Sequence, residues 1–96
     1  MNVTFLEIAE IELEDSIEFY NLEKPGLGDE FLDEILQTIK RIASYPEAAV
    51  RCSERCRRCL VRRFPYGVIY QARESEILIV AIAHLHRKPE FWQDRI

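Results

Sequence analysis

The sequence predicts an α+β domain in which a helical hairpin packs on a twisted antiparallel sheet, with element order β–α–α–β–β–β. Three observations predict it: two apolar patterns of helical period in the first half, a Pro-Gly turn between them, and three strand-like runs in the second half. With 96 residues, 48% hydrophobic and 31% charged, residues 1–96 are expected to form one domain.

Three strand-like runs form the predicted antiparallel meander. The first two lie within residues 57–70 and are separated by a turn at Pro65, which has no N–H for a ladder. A polar break at residues 73–76 closes the second pair as a hairpin. The third run, residues 77–83, is apolar throughout, so we expect an interior strand covered on both faces. Residues 3–6 are β-prone and are expected to add a fourth strand.

Two helices are predicted from apolar residues at helical spacing. The first pattern ends at Pro25-Gly26, and the second ends before Pro46, because a residue that precedes proline avoids the α region. The apolar positions are Ala9, Leu13, Ile17 and Tyr20 in the first helix and Phe31, Ile35, Ile39 and Ile42 in the second. The acids expected to face water on the first helix are Glu10, Glu12, Glu14, Asp15 and Glu18. Residues 47–57 are interpreted as a loop, and Pro89 as the first position of a short helix.

Charge is divided unequally between the two halves of the chain. Residues 1–48 carry 12 acids and 3 bases, whereas residues 49–96 carry 5 acids and 10 bases, so a net charge of −4 conceals halves of −9 and +5. Two interpretations stay open. Either an acidic helical layer partly cancels the field of a basic sheet, or the sheet presents a basic surface to an anionic partner.

Six arginines fall within thirteen positions, and guanidinium groups suit bidentate contacts with phosphate or carboxylate. They are Arg51, Arg55, Arg57, Arg58, Arg62 and Arg63. If Arg62 and Arg63 lie on a strand, they point to opposite faces of the sheet. The alternatives are a solvated strand edge and pairing with the acidic helices.

The end of the predicted interior strand carries residue types suited to acid–base chemistry and anion binding. His84 and His86 are candidates for proton transfer, and Arg87 and Lys88 for charge stabilisation, although a histidine here is also typical of a hydrogen-bonded rim residue. Three aromatic residues suit either stacking on a partner or the core, and the core is favoured for the last two. These are Tyr66, Tyr70 and Trp92.

The three cysteines have the spacing C-x3-C-x2-C at positions 52, 56 and 59. A zinc site needs a fourth ligand, which only His84 or His86 could supply, and an odd count argues against a disulfide framework. We therefore expect reduced cysteines and neither metal nor cofactor, with metal binding or redox sensing as the alternative. The start of the chain has no secretion signal and no run is long enough to span a membrane, so we expect a cytoplasmic protein. No phosphate-binding loop, nucleophile elbow or dinucleotide fingerprint occurs.

The order of these motifs resembles the ParE/RelE toxin superfamily of type II toxin–antitoxin modules. The resemblance rests on Arg63-Phe64-Pro65-Tyr66-x3-Tyr70, on the apolar strand ending in His84, on Arg87-Lys88-Pro89-x-Phe91-Trp92, and on the first helix with its Pro25-Gly26-Leu27-Gly28 turn. It implies a helical hairpin on a twisted antiparallel sheet. It also implies a toxin held inactive by a cognate antitoxin, and a complex that contacts operator DNA only through that antitoxin.

The branches of the superfamily differ in target. The Arg-Lys-Pro-x-Phe-Trp ending resembles the ParE-like and plasmid-stabilisation branch, which implies inhibition of DNA gyrase. RelE-like members cut mRNA on the ribosome. Under that alternative Arg58, Arg63 and Arg87 would bind phosphate, and His84 or His86 would replace a tyrosine that the chain lacks. A non-toxic partner-binding member is the third hypothesis, since the sequence pI of about 5.2 is low for a ribosome-dependent toxin.

The residues expected to contact the antitoxin or another partner lie in the basic half. They are Arg57, Arg58, Arg62, Arg63, Tyr66, Arg87, Lys88 and Trp92.

Overall fold

A computed structural model describes residues 1–96 and confirms the predicted α+β class, with a helical hairpin packed on a sheet. The elements are β1 (Asn2–Phe5), α1 (Glu7–Glu23), α2 (Leu27–Ser44), β2 (Val50–Arg51), β3 (Arg57–Leu60), β4 (Tyr66–Ala72) and β5 (Glu76–His84). A single 3₁₀ turn, Gln93–Arg95, follows near the C-terminus.

The sheet has five strands in the order β1-β5-β4-β3-β2 and is mixed rather than wholly antiparallel. Strands β3, β4 and β5 form the predicted antiparallel meander, β2 adds an antiparallel strand beside β3, and β1 pairs parallel with β5. Both helices separate β1 from the next strand, so no tight turn fixes its direction. The two-residue strand β2 lies in the predicted loop, because two residues are too few to show an alternating pattern.

Strand β5 is the predicted interior strand. It lies between β1 and β4, and every residue from Ile77 to Ala83 is buried. One irregularity interrupts its register with β4: Ile69 is opposite Ala81, but Tyr70 is opposite Ile79, which leaves Val80 as an extra residue. Such a β-bulge changes which side chains of the strand share a face.

The helices cover one side of the sheet, which we call the helix face. Its core includes Phe31, Ile35 and Ile42 of α2, packed with Tyr70 and Ile79 of the sheet. The predicted apolar stripe of α2 is therefore confirmed.

The two helices meet closely at Gly28. A Cβ on Gly28 would lie 2.2 Å from the carbonyl oxygen of Ile17, so only glycine fits this contact. The side-chain oxygen of Asn21 accepts hydrogen bonds from the backbone N–H groups of Gly26 and Gly28, at 3.2 and 2.8 Å. The Pro-Gly turn is thus fixed by a side chain of the helix that precedes it.

The opposite side of the sheet, the tail face, is covered by residues 85–96, which we call the C-terminal segment. Trp92 is 2% exposed and belongs to a second apolar cluster with Cys56, Ile69 and Val80. The prediction of a helix that begins at Pro89 is wrong. Residues 89–92 form turns, and helical structure in this segment is limited to the 3₁₀ turn Gln93–Arg95. A segment this short does not offset the cost of helix nucleation. Neither helix combines the length and apolar character needed to cross a bilayer.

Candidate functional site

The β2–β3 hairpin gathers arginines from the cluster seen in the sequence. Arg51 and Arg57 are opposite each other on the two strands, and Arg55 lies in the loop between them. With Arg73, beyond the end of β4, they line a cleft of about 440 Å³. The other residues that line it are Glu47, Glu54, Cys56, Gln71 and Ala72. We call this the arginine cleft.

Three arginines of the cleft have no carboxylate partner. Arg51 Nη1 donates to the carbonyl oxygen of Glu54 at 3.1 Å, and Arg57 Nη1 donates to that of Ala49 at 2.8 Å. Neither these two nor Arg55 forms an ion pair. A backbone carbonyl orients a guanidinium without neutralising it, so the cleft offers uncompensated positive charge to an anionic partner.

Arg58 lies on the tail face, opposite Ile69. Its stem crosses Gly67, where an added Cβ would be 2.9 Å from Arg58 Cγ. The missing side chain at position 67 therefore lets the arginine lie flat along the sheet. Arg58, Arg87 and Lys88 contribute to a smaller cleft of about 50 Å³ that Trp92 closes from the C-terminal segment.

The two histidines do not share the face of Arg58. His84 is opposite Tyr66, a residue of the helix-face core, and the two ring centroids are 5.1 Å apart. His84 Nδ1 accepts the backbone N–H of His86 at 3.1 Å, so a neutral His84 carries its proton on Nε2. Without the bulge at Val80, simple alternation would place His84 on the tail face with Arg58. The bulge therefore turns the His84 ring towards Tyr66, although His84 still lines the smaller cleft with Arg58 and Arg87.

Arg62 and Arg63 are not on a strand, so the prediction that they point to opposite faces of the sheet is wrong. β3 ends at Leu60, and Arg63 adopts a left-handed backbone conformation with φ of 70° in the following loop. Its guanidinium pairs with Glu30 at 2.7 Å and with Glu34 at 3.7 Å. The hydrogen bond from Arg63 lowers the pKa of Glu30 below its ordinary value. Arg63 is therefore held against α2, whereas Arg62 is exposed in the loop.

Arg87 belongs to an ion-pair network centred on Glu12, an acid that we expected to face water. The Glu12 carboxylate accepts hydrogen bonds from both terminal nitrogens of Arg95, at 2.8 Å each, and from Arg87 Nη1 at 3.1 Å. It also accepts the backbone N–H of Ile82 at 3.2 Å. In the sequence, the only sign that Glu12 is not an ordinary exposed acid is its position directly before Leu13, a residue of the apolar stripe of α1.

Arg95 completes the same network at the edge of β5. Its Nη1 donates to the carbonyl oxygen of Val80 at 3.1 Å. Strand β1 pairs with β5 only as far as Ile79, so the network satisfies backbone groups that have no neighbouring strand. The network thus closes this edge and fixes the C-terminal segment to α1.

Comparison with known proteins identifies the family to which these features belong. The sequence model of one family, described as ParE toxin of type II toxin-antitoxin system, parDE, matches residues 3–89. The chain belongs to the ParE toxin family. The resemblance stated from the motifs is thereby confirmed.

A solved structure shares the fold of this ParE-family chain. A chain from the chromosomal ParDE TA system of P. aeruginosa superposes with a TM-score of 0.78 at 20% sequence identity. The match covers 90% of this chain and 97% of that chain. A search of curated proteins finds no match.

The aromatic candidates of the ParE-family chain are buried. Tyr66 is 7% exposed and packs on Phe31 with ring centroids 4.7 Å apart, and Trp92 is buried between the C-terminal segment and the sheet. The Tyr70 hydroxyl donates to the carbonyl oxygen of Pro46 at 2.7 Å, and burial raises its pKa. The core interpretation of Tyr70 and Trp92 is confirmed. Stacking of Tyr66 or Trp92 on a partner would first require its exposure.

The cysteines divide between the two faces. Cys56 and Cys52 belong to the tail-face cluster, whereas Cys59 packs against the helix-face core. Burial raises the pKa of the Cys52 and Cys56 thiols. The structure contains no group of three His, Cys, Asp or Glu side chains placed to hold a metal ion.

The arrangement favours binding of anions over proton transfer. Guanidinium groups without an ion pair line the arginine cleft. His84 lines the smaller cleft with Arg58 and Arg87, but its ring packs against Tyr66 and its Nδ1 already accepts the N–H of His86. Arg63 lies apart from these residues and is paired with α2.

Proposed function

We propose that this chain is the toxin of a type II toxin–antitoxin pair, that a cognate antitoxin neutralises it, and that the free toxin inhibits DNA gyrase in the cytoplasm. The observation that carries the proposal is the family match over residues 3–89. The packing of the His84 ring against Tyr66 and the pairing of Arg63 with Glu30 support gyrase inhibition over mRNA cleavage, because both candidates for RNA chemistry are already engaged. The proposal needs no cofactor, and operator DNA would be contacted only through the antitoxin.

We assign the antitoxin contact to the arginine cleft and the adjoining tail face. The exposed members of the predicted set are Arg58, Arg62, Arg63, Arg87 and Lys88, Arg57 is half-buried, and the cleft adds Arg51 and Arg55. An acidic antitoxin segment would complement these guanidinium groups, which have no carboxylate of their own. Arg63 and Arg87 contribute less, because Glu30 and Glu12 already compensate their charge.

Charge reversal tests this surface. We expect the double substitution Arg51→Glu and Arg55→Glu to weaken antitoxin binding at least tenfold, mainly at low salt, because it replaces attraction with repulsion. Lys24→Glu with Lys40→Glu is the matched control, since it makes the same change in net charge at two exposed positions of the helical hairpin, one in its turn and one on α2. Equal affinity of the two double variants would exclude the arginine cleft as the antitoxin site.

Growth and supercoiling assays test the target. Tightly controlled expression of the chain alone should arrest bacterial growth, and co-expression of the antitoxin should restore it. Purified toxin should inhibit gyrase supercoiling in proportion to its concentration, and excess antitoxin should reverse the inhibition. Intact supercoiling with excess folded protein would refute the proposed target.

A RelE-like ribosome-dependent endoribonuclease is the second candidate, and one observation favours it. Arg58, His84, Arg87 and Lys88 line a single cleft. Cleavage of translated mRNA that is lost in Arg58→Ala would establish this function. If expression without antitoxin leaves growth unchanged, the chain is instead a non-toxic partner-binding member of the family.

A further inference from the structure

Two cysteines face each other at the closed end of the β2–β3 hairpin. Strand pairing ends with Arg51 opposite Arg57, so the next opposing pair is Cys52 and Cys56. The N–H of Cys52 donates to the carbonyl oxygen of Cys56 at 3.0 Å, which confirms that the two backbones remain hydrogen-bonded there. Opposing residues of this kind have Cα atoms about 5.5 Å apart. A disulfide spans Cα distances of about 4.4 to 6.8 Å.

Both side chains are on the tail face. Cys56 is 1% exposed in the cluster that contains Trp92, and the half-buried Cys52 packs against the same cluster. Cys59 is opposite Val68 of the helix-face core, so its thiol points to the other side of the sheet. The register therefore places Cys52 and Cys56 next to each other and excludes Cys59 from a disulfide with either of them.

We propose that Cys52 and Cys56 form a reversible intrachain disulfide that makes the hairpin sensitive to redox conditions. Glutathione disulfide is a suitable oxidant. The Cys52 thiolate attacks one of its sulfur atoms and releases one glutathione thiolate. The Cys56 thiolate then attacks Cys52 Sγ in the mixed disulfide and releases the second. The two cysteine protons end on two molecules of glutathione, and the oxidant takes up two electrons.

Exposure assigns the order of the two attacks. Cys52 is the more accessible thiol and reacts first with the external disulfide, whereas Cys56, already in place opposite, resolves the adduct. Burial raises the pKa of both thiols, and the nearby Cys56 raises that of Cys52 further. The thiolate is the nucleophile, so oxidation should be slow at neutral pH and accelerate as the pH rises.

The consequence of the disulfide falls on the arginine cleft. The crosslink closes the loop that carries Arg55 and adjoins Arg51, and Cys56 itself lines the cleft. A crosslinked loop has less conformational freedom to lose when an anionic segment binds. We therefore expect the oxidised chain to bind the antitoxin about fivefold more tightly than the reduced chain. This second step rests on the proposed function, whereas formation of the disulfide does not.

Intact-mass measurement tests the disulfide without antitoxin or gyrase. The full chain is incubated with glutathione and glutathione disulfide at several pH values, quenched with acid and treated with an alkylating agent. We expect the wild type and Cys59→Ser to lose the mass of two hydrogen atoms and to keep two fewer alkylatable thiols. Cys56→Ser should stop at the mixed disulfide with glutathione, and Cys52→Ser should remain largely unmodified. Three free thiols in the oxidised wild type, or a crosslink to Cys59, would overturn the proposal.

Binding of the antitoxin to oxidised and reduced chain tests the regulatory step. Cys59→Ser is the matched control, because it keeps both cysteines of the hairpin and should show the same redox effect as the wild type. Equal affinity of oxidised and reduced chain would overturn this step while leaving the disulfide in place. Failure to inhibit gyrase would instead count only against the proposed target, since neither redox measurement uses gyrase.

Discussion

The two faces of the sheet are covered in different ways. On the helix face, two helices of 17 and 18 residues bury a continuous core that includes Phe31, Ile35 and Ile42. On the tail face, one short segment contributes Trp92 and is fixed by the ion pair between Glu12 and Arg95. Apolar packing therefore holds the helices on the sheet, whereas one aromatic side chain and one charged network hold the C-terminal segment.

Compensated and uncompensated arginines occur on both sides of the sheet. Arg63, on the side of α2, has two carboxylate partners, whereas Arg51, Arg55 and Arg58 have none. An uncompensated charge costs little when it is exposed to water, and it is available to a partner. Arg58 carries its uncompensated charge on the tail face, whereas Arg51, opposite Arg57 and therefore on the side of Tyr70, carries its charge at the edge of the helix face.

Removal of Trp92 gives the largest expected effect on this comparison. Trp92→Ala should lower the free energy of unfolding by about 3 kcal/mol, because a large buried side chain is lost. Hydrogen exchange should show loss of protection in residues 85–95, while the amides of α2 remain protected. Phe19→Ala, on the outer surface of α1 and 54% exposed, is the control and should change stability by less than about 0.5 kcal/mol. Uniform loss of protection in Trp92→Ala would show that the helices and the C-terminal segment unfold as a single cooperative unit.

Removal of Glu12 should have a slightly smaller effect. Glu12→Ala removes the carboxylate partner of Arg95 and the acceptor of the Ile82 N–H, and such a loss in a largely buried network costs about 2 kcal/mol. Trp92 is the only tryptophan, so its fluorescence reports directly on the C-terminal segment and should shift to longer wavelength. Glu10→Ala, an exposed acid on the same helix, should leave both stability and emission unchanged.

The helix face could be predicted from the sequence, and much of the tail face could not. Apolar residues at helical spacing predicted α2, and an uninterrupted apolar run predicted β5, because burial by a regular element leaves a periodic pattern. The pairing of Glu12 with Arg95 joins residues at opposite ends of the chain and leaves no local pattern. The bulge at Val80 is equally invisible in a run of apolar residues, yet it decides which face His84 occupies.

Substitution of Gly67 tests how the sheet positions Arg58. Gly67→Ala should cost about 1 kcal/mol, because the new Cβ would lie 2.9 Å from Arg58 Cγ and the side chain has to move. Arg58→Ala in the same chain should remove most of this cost, and a double-mutant cycle measures that coupling. Equal costs of Gly67→Ala with and without Arg58 would show that the strand backbone, and not the arginine, resists the substitution.

Removal of Arg63 should have the smallest effect, and its pH dependence distinguishes a compensated arginine from a free one. Arg63 lowers the pKa of the Glu30 carboxyl below its ordinary value of 4.5, so the folded state binds this proton less readily than the unfolded chain. Stability from the pair is therefore present above the unfolded pKa and is lost as the pH falls through the lower folded pKa. Urea denaturation of wild type and Arg63→Ala should show a small difference at neutral pH that disappears in acid. The same substitution at Arg55 should show no such pH-dependent difference, since Arg55 has no carboxylate partner. A difference for Arg63→Ala that persists unchanged below the folded pKa of Glu30 would mean that packing against Phe64, and not the ion pair, holds Arg63 in place.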